Sequence, residues 1–251
     1  MIKNIPNALT LLNLFCGALA VVSILNLHIE EALVLHGICL LADFLDGLLA
    51  RKLKVDGPLG VQLDSLADVV SFGVFPSAIV YVFLAQSWDI DPAMSTLSDR
   101  MYLYPAFLLA VFGGLRLARF NISTEQSDKF IGIPIPAMAM FFAGLLLIQQ
   151  DGNIALIEII EKKWFLYGSV IIFSFLMNSK FDHFKIKPTK EFLTQPFIIL
   201  LLGSIVGLVI FYPVISLSAG ILLYSCLSII SNFVKICLPA IQSKNKIYKI
   251  Q

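Results

Sequence analysis

Apolar runs of about 20 residues, the length needed to cross the hydrocarbon core of a bilayer as a helix, recur along the whole of this chain. They fall at 8–27, 31–53, 59–86, 101–121, 134–150, 163–179, 193–212 and 214–237. Six or seven spans would result if short neighbours merged. Composition agrees: 58% of the 251 residues are hydrophobic and only 14% charged, where soluble domains carry roughly 25% charged residues. Mean hydropathy is +0.88. The expected fold is all-α, a polytopic transmembrane helical bundle of about eight spans. It is read as one integral membrane domain over residues 1–251, with a catalytic core at about 1–140, accessory spans at about 141–237 and a basic cytoplasmic tail at 238–251. The first run has no basic stretch before it and no small-residue cleavage site after it, so it reads as a retained helix and not a removed leader.

Cytoplasmic loops collect Lys and Arg. With the amino terminus inside, the segments bearing Lys3, Arg51 to Lys54, Arg116, Arg119, Lys129, Lys180 to Lys190, Lys235, Lys244, Lys246 and Lys249 face the cytoplasm. Only Arg100, Lys162 and Lys163, three of the 18 cations, face away. The far-side loops are acidic instead, with Asp89, Asp91 and Asp99 in one and Asp151, Glu158 and Glu161 in another. Both termini are therefore expected in the cytoplasm. Charge partitioned in this way makes no case for a nucleic-acid partner. The tail SKNKIYKIQ would lie on the anionic inner surface or in solvent. Cys16, Cys39, Cys226 and Cys237 form no metal or redox spacing and read as buried free thiols.

Four aspartates interrupt the apolar pattern: Asp43, Asp46, Asp64 and Asp68. One carboxylate at the centre of a membrane helix costs about 2.5–3.5 kcal/mol, so four uncompensated ones would cost on the order of 10 kcal/mol. A bound partner must neutralise them, most simply divalent cations. Residues at i, i+3, i+4 and i+7 share a helix face. Asp43, Asp46, Gly47 and Ala50 obey that spacing on one span, and Gly60, Asp64, Ala67, Asp68 and Ser71 on the next. The polar link Arg51–Pro58 ends in the turn signal Asp-Gly-Pro, so two antiparallel helices would bring the carboxylate pairs together. Gly47, Ala50 and Gly60 leave room for a ligand, or for close helix packing. Hard oxygen donors in this number suit Mg²⁺ or Mn²⁺, and two such ions about 3.5–4 Å apart can hold a phosphoryl group for displacement. Arg51 can grip a phosphate or serve as a positive-inside anchor.

The pattern Asp-x2-Asp-Gly-x2-Ala-Arg-x8-Gly-x3-Asp-x3-Asp, met at Asp43, Asp46, Gly47, Ala50, Arg51, Gly60, Asp64 and Asp68, resembles the signature of the CDP-alcohol phosphotransferases. That resemblance implies transfer of a substituted phosphate from a CDP-linked donor to an alcohol, with release of CMP. It implies Asp43, Asp46 and Asp64 as ligands of two metals per active site, Asp68 as general base and as a further ligand if it also meets the metals, and Gly47 and Arg51 at the CDP group. An aspartate, with an ordinary pKa of about 3.9, is a weak base, so the least coordinated acid should take that role.

The segments IPNALTLLNLFCG, LDSLADVVSFGVFPS, GGLRLARFN and FIGIPIPA, with a weaker NSKFDHFKIK, are similar to one branch of that family, the smaller membrane-integral CDP-diacylglycerol–serine O-phosphatidyltransferases. The similarity implies CDP-diacylglycerol and L-serine as substrates, a membrane-lipid environment, the cell's cytoplasmic membrane with the active site toward the cytoplasm, and a homodimer. Asn7, Thr10 and Asn13 share a face and could meet the nucleotide or serine, although Asn7 and Thr10 also suit a helix start. Arg116 and Arg119 could hold the lipid phosphate or the serine carboxylate, or snorkel to headgroups. Ser71 could line the acceptor site or bond its own backbone. Pro134 and Pro136 read as shaping the entry to a span, and His36 as a satisfied interior histidine. The same chemistry with glycerol 3-phosphate or inositol phosphate as acceptor is the nearest alternative; a divalent-cation transporter is a remote one, because the acids cluster at one side with no second half to match.

Overall fold

The computed structural model describes residues 4–55, 57–122, 130–179, 182–183 and 196–247. Lys3, Asp56, Lys129, Lys180, Lys185, Lys187, Lys190, Lys249 and most of NSKFDHFKIK lie outside them. The chain is helical almost throughout: α1 (Ile5–Leu25), α2 (Ile29–Leu53), α3 (Pro58–Trp88), the short α4 (Leu97–Arg100), α5 (Tyr104–Ile122), α6 (Ile135–Asp151), the short α7 (Ile154–Ile160), α8 (Lys163–Asn178), α9 (Pro196–Phe211) and α10 (Pro213–Ile247). One two-residue antiparallel pairing joins β1 (Phe130–Ile131) to β2 (Asp182–His183), Phe130 opposite His183.

Among the described residues, each apolar run of the sequence is largely helical. Five helices among these residues (α1, α2, α3, α5 and the Pro213–Ser231 part of α10) are long and apolar enough to cross a membrane. Ile135–Asp151, Lys163–Asn178 and Leu200–Phe211 are apolar but shorter. Proline marks several starts, at Pro6, Pro58, Pro136, Pro196 and Pro213, because its missing N–H is one of the four that a helix start leaves unbonded anyway. Pro134, extended at φ −62° and ψ 142°, caps α6. Together with Pro136 it shapes the entry to that helix.

α3 is the central helix. Of its most apolar window 72% is buried, against 39% or less for the other four long spans. Phe72, Phe75, Ile79, Phe83 and Leu84 are fully buried along it, facing Phe142 of α6 and Phe173 of α8 within one core. The outer faces of α1, α2 and α8 instead present Phe15, Val34, Leu41, Phe44, Ile171 and Phe175, the surface expected of helices whose solvent is lipid.

α3 is not uniformly α-helical. Val69–Val74 form a π turn, closed by the Phe75 N–H bonding to the Val70 carbonyl five residues back. The cause is local. Pro76 has no N–H for the Phe72 carbonyl, and its ring pushes that carbonyl aside, so the turn before it widens. π turns inside α-helices recur at functional sites, and this one begins one residue after Asp68.

At the end of α3 away from the aspartates, the Trp88 indole N–H donates to the Tyr167 hydroxyl (3.0 Å), which donates to the Tyr102 carbonyl (2.6 Å). Trp88 stacks on Tyr102, and Lys163 Nζ lies 3.6 Å from the Trp88 ring centre. Tyrosine, tryptophan and lysine together are the composition typical of a membrane–water boundary.

Two expectations change. Cys16 and Cys39 are buried, but Cys226 is exposed, because it lies off the face of α10 that carries buried Ser225 and Ser228; the Cys237 side chain lies outside the described set. His36 is interior, stacked on Phe75 at 4.7 Å and edge-on to Phe72 at 5.7 Å. Neither ring nitrogen makes a hydrogen bond of full geometry, the Ser71 backbone being the polar group the ring approaches, so His36 is held chiefly by ring packing.

α1 crosses α3 closely enough that a Cβ on Gly17 would stand 2.7 Å from the Ser71 Cβ. Gly17→Ala should therefore lower stability by about 1–3 kcal/mol through forced separation of the helices. Gly37, with nothing within 4 Å of a Cβ, serves as control: in detergent, the unfolding midpoint should fall for Gly17→Ala and not for Gly37→Ala.

Candidate active site

The tight Asn26–His28 link turns α1 back into α2, and α2 ends at Lys54 in the left-handed region (φ 53°). Gly57, extended at φ −143°, then leads into α3 at Pro58. The carboxyl end of α2 and the amino ends of α1 and α3 thus meet, enclosing a cavity of about 380 Å³. Its walls include Asn7 and Thr10 of α1, Asp43, Asp46, Gly47, Ala50 and Arg51 of α2, and Gly60 and Asp64 of α3. Nine residues singled out from the sequence therefore line one cavity.

Within it the small residues have specific consequences. A Cβ on Gly47 would lie 3.4 Å from Arg51 Nη1, so the guanidinium folds back over this glycine, one turn away. A Cβ on Gly60 would lie 3.3 Å from Asn7 Oδ1, so the absence of a side chain there lets the α1 amide reach α3. Pro6, Phe44, Val55, Gly57 and Val61 complete the wall. Sequence reasoning missed them, although Gly57 and Val61 adjoin the turn signal and Gly60.

Carboxylate oxygens of Asp43, Asp64 and Asp68 all lie within 4.8 Å of one another. The Asp43 and Asp68 carboxyls are within hydrogen-bond reach, and Asp68 is 7% exposed with an Oδ1 that has no protein partner. Acids this close require a proton or a cation among them. Three hard oxygen donors, one of them buried and unbonded, fit a divalent cation, so the cluster could hold one. No second group of this kind occurs among the described residues. Asp46 sits beside the trio and is held differently: Thr10 Oγ1 lies 2.5 Å from its Oδ2 and 3.1 Å from the Pro6 carbonyl. A hydroxyl has one proton, and the shorter contact takes it. Thr10 thus fixes Asp46 from the neighbouring helix.

The other expected residues divide. Asn13 is fully buried, with neither side-chain polar atom partnered, while its carbonyl accepts from the Cys39 thiol at 3.4 Å. Ser71 donates to the Ala67 carbonyl at 2.8 Å and packs against Gly17, so its hydroxyl serves the backbone. Arg116 and Arg119 do not act as a pair. Arg116 reaches inward, close enough to interact electrostatically with Asp68, and its buried Nε has no partner. Arg119 is exposed and donates to Asn178 Oδ1 at 3.3 Å; Asn178 in turn donates to the Phe112 carbonyl at 3.0 Å. Asn121 donates to Ser65 Oγ at 2.8 Å, tying the end of α5 to α3.

The family model described as CDP-alcohol phosphatidyltransferase matches residues 3–177, which contain every residue of this site. The chain belongs to the CDP-alcohol phosphatidyltransferases. Three relatives carry the name CDP-diacylglycerol–serine O-phosphatidyltransferase. The protein of Helicobacter pylori strain J99 is 34% identical over 243 residues, 96% of this chain and 95% of its own length. That of Bacillus subtilis strain 168 is 35% identical over 189 residues, 72% of this chain and 91% of its own length. That of Methanocaldococcus jannaschii is 35% identical over 143 residues, 57% of this chain and 60% of its own.

Thr10 supplies a testable link in this phosphatidyltransferase. Thr10→Val keeps the shape and removes the O–H that Asp46 accepts, so CMP release should fall about tenfold or more, as expected for a hydrogen bond to a charged group. Thr10→Ser should retain most of the rate. Equal loss in both variants would place the effect in packing.

Proposed function

We propose that this chain transfers the phosphatidyl group of CDP-diacylglycerol to the hydroxyl of L-serine, forming phosphatidylserine and CMP. The observation that carries the proposal is the convergence of Asp43, Asp64 and Asp68 at a cavity lined by Asn7, Thr10, Gly47 and Arg51; the names of the relatives point to serine. Asp43, Asp46 and Asp64, with Asp68 in reach, would hold two Mg²⁺ or Mn²⁺ ions per site, which when bound neutralise the diphosphate and the charge on departing CMP.

The protein's own groups do the rest. Gly47 and Ala50 give the nucleotide access to the α2 backbone, and Arg51 holds a phosphate with its fork of donors. Thr10 keeps Asp46 oriented, and Asn7 approaches the donor across Gly60. Asp68 takes the serine hydroxyl proton while the oxygen bonds to the lipid-side phosphorus; the bond from that phosphorus to the CMP oxygen breaks, and CMP leaves with the electron pair. Asp68 suits the role as the most deeply placed member of the trio with an unbonded oxygen. Arg116, beside it, meets the serine carboxylate.

Arg119, engaged with Asn178, leaves a single arginine at the acceptor end. One guanidinium favours an acceptor with a carboxylate over the phosphorylated alternatives, glycerol 3-phosphate or inositol phosphate, which need more cations. The same proposal takes eight spans, three of them short, with both termini and the active site cytoplasmic, on the strength of the lysine and arginine distribution. It places the chain in the cytoplasmic membrane as a homodimer, with a catalytic core at about 1–140, accessory spans to 237 and a basic tail.

Purified protein given CDP-diacylglycerol, Mn²⁺ and one acceptor at a time should release CMP and form a new lipid only with L-serine. Release only with glycerol 3-phosphate or inositol phosphate would overturn the acceptor. Asp68→Asn should lose at least a hundredfold in rate, about 2.7 kcal/mol of barrier, while still binding CDP-diacylglycerol; lost binding would make Asp68 chiefly a ligand.

A further inference from the structure

The π turn at Val69–Val74 divides α3 into a deeply packed half and a thinly packed one. After it, Phe75, Ile79, Phe83 and Leu84 are fully buried. Before it, in Pro58–Asp68, only Ala67 and Asp68 are buried, while Leu59, Val61 and Leu66 are exposed. A π turn interrupts the i→i−4 bonding of a helix and is one of the places where helices kink. The half that carries Asp64 and Asp68 therefore takes its orientation from what lies beside it.

α5 lies beside it and reaches across the turn. Two serines of α3 make the same pair of bonds, one on either side. Ser77 Oγ donates to the Gly73 carbonyl at 2.8 Å and accepts from the Ala110 N–H of α5 at 3.2 Å. Ser65 Oγ donates to the Val61 carbonyl at 3.1 Å and accepts from the Asn121 side-chain amide of α5 at 2.8 Å. Between them, a Cβ on Gly73 would stand 3.4 Å from Ala110 Cα, and one on Gly114 would stand 3.7 Å from Val69 Cγ2. From Ala110 to Asn121, and from Ser77 back to Ser65, is about 17 Å of helix in each case. α5 thus splints α3 along the whole stretch. α8 braces the splint in turn, since Asn178 accepts from Arg119 at 3.3 Å and donates to the Phe112 carbonyl at 3.0 Å. Ser65 directly follows Asp64 and stands three residues before Asp68.

We propose that Asn121 is a positioning residue for the cation site. Its amide holds Ser65, and through Ser65 the turn of α3 that bears Asp64 and Asp68, in the orientation in which those carboxylates meet Asp43. The assignment rests on the reading above that these aspartates hold a divalent cation.

The test measures Mn²⁺ binding to the detergent-solubilised protein without substrates, from the electron paramagnetic resonance signal of free Mn²⁺. It compares wild type, Asn121→Ala, Ser65→Ala, the double variant and the control Ile122→Ala, whose side chain is 80% exposed beside Asn121. Loss of one hydrogen bond should weaken Mn²⁺ binding about fivefold in Asn121→Ala and in Ser65→Ala. The double variant should lose no more than either single one, because both remove the same link. Ile122→Ala should bind as wild type does. In CMP release, the Mn²⁺ concentration for half-maximal rate should rise by the same factor in Asn121→Ala, with kcat at saturating Mn²⁺ within about twofold. Unchanged Mn²⁺ affinity in Asn121→Ala, penalties that multiply in the double variant, or an equal loss in Ile122→Ala would each overturn the assignment. A wild type that binds no Mn²⁺ would instead refute the cation reading, and the assignment with it.

Discussion

Four carboxylates held on facing sides of α2 and α3, within an otherwise apolar bundle, are the constraint on which the rest of this structure depends. Their burial is affordable only if they share something positive. For that they must converge, and convergence requires that the helices carrying them meet at one end without bulky side chains in the way. Gly47, Ala50 and Gly60 line the resulting cavity. Gly17 lets α1 seat against α3 at Ser71, and toward α2 the same helix sets Thr10 against Asp46. The closeness of α1 is thus part of the site and not only of the packing.

α3 connects this end to the core. Its amino-terminal half carries Asp64 and Asp68; its carboxyl-terminal half carries the phenylalanines that α6 and α8 enclose. Between them lies the π turn that Pro76 imposes. An extra residue in one turn rotates the faces of the two halves relative to each other. One helix can therefore present acids to the cavity and aromatics to the core without a break. The aromatic and lysine cluster around Trp88 anchors the opposite end.

The helices and the cavity were legible in the sequence because both rest on strong local signals. Apolar runs of spanning length have one outcome in lipid. Acids spaced three and four apart in such runs carry a cost that singles them out. The four aspartates stand out in this way, with Gly47, Ala50 and Gly60 on the same faces; Asn7 and Thr10 share a face of the first span, and Gly47 and Arg51 carry a CDP role through the family resemblance. What escaped depends on contacts made at a distance. Arg116 and Arg119 look equivalent on a helical wheel, yet Asn178 of α8 engages Arg119, while Arg116 keeps a buried Nε without a partner. Ser71 lies on the catalytic face, but the Ala67 carbonyl takes its hydroxyl. Cys226 reads like any buried thiol until the inward face of α10 is known.

The central claim is that the aspartate cluster is a cation site that holds the α2–α3 hairpin together. Thermal unfolding of the detergent-solubilised protein, stripped with chelator and titrated with Mn²⁺, tests this most directly. A ligand that binds only the folded state raises stability by mass action. The midpoint should therefore climb with Mn²⁺ in the wild type and stay flat in Asp64→Asn. An identical climb in Asp64→Asn, or none in the wild type, would contradict it.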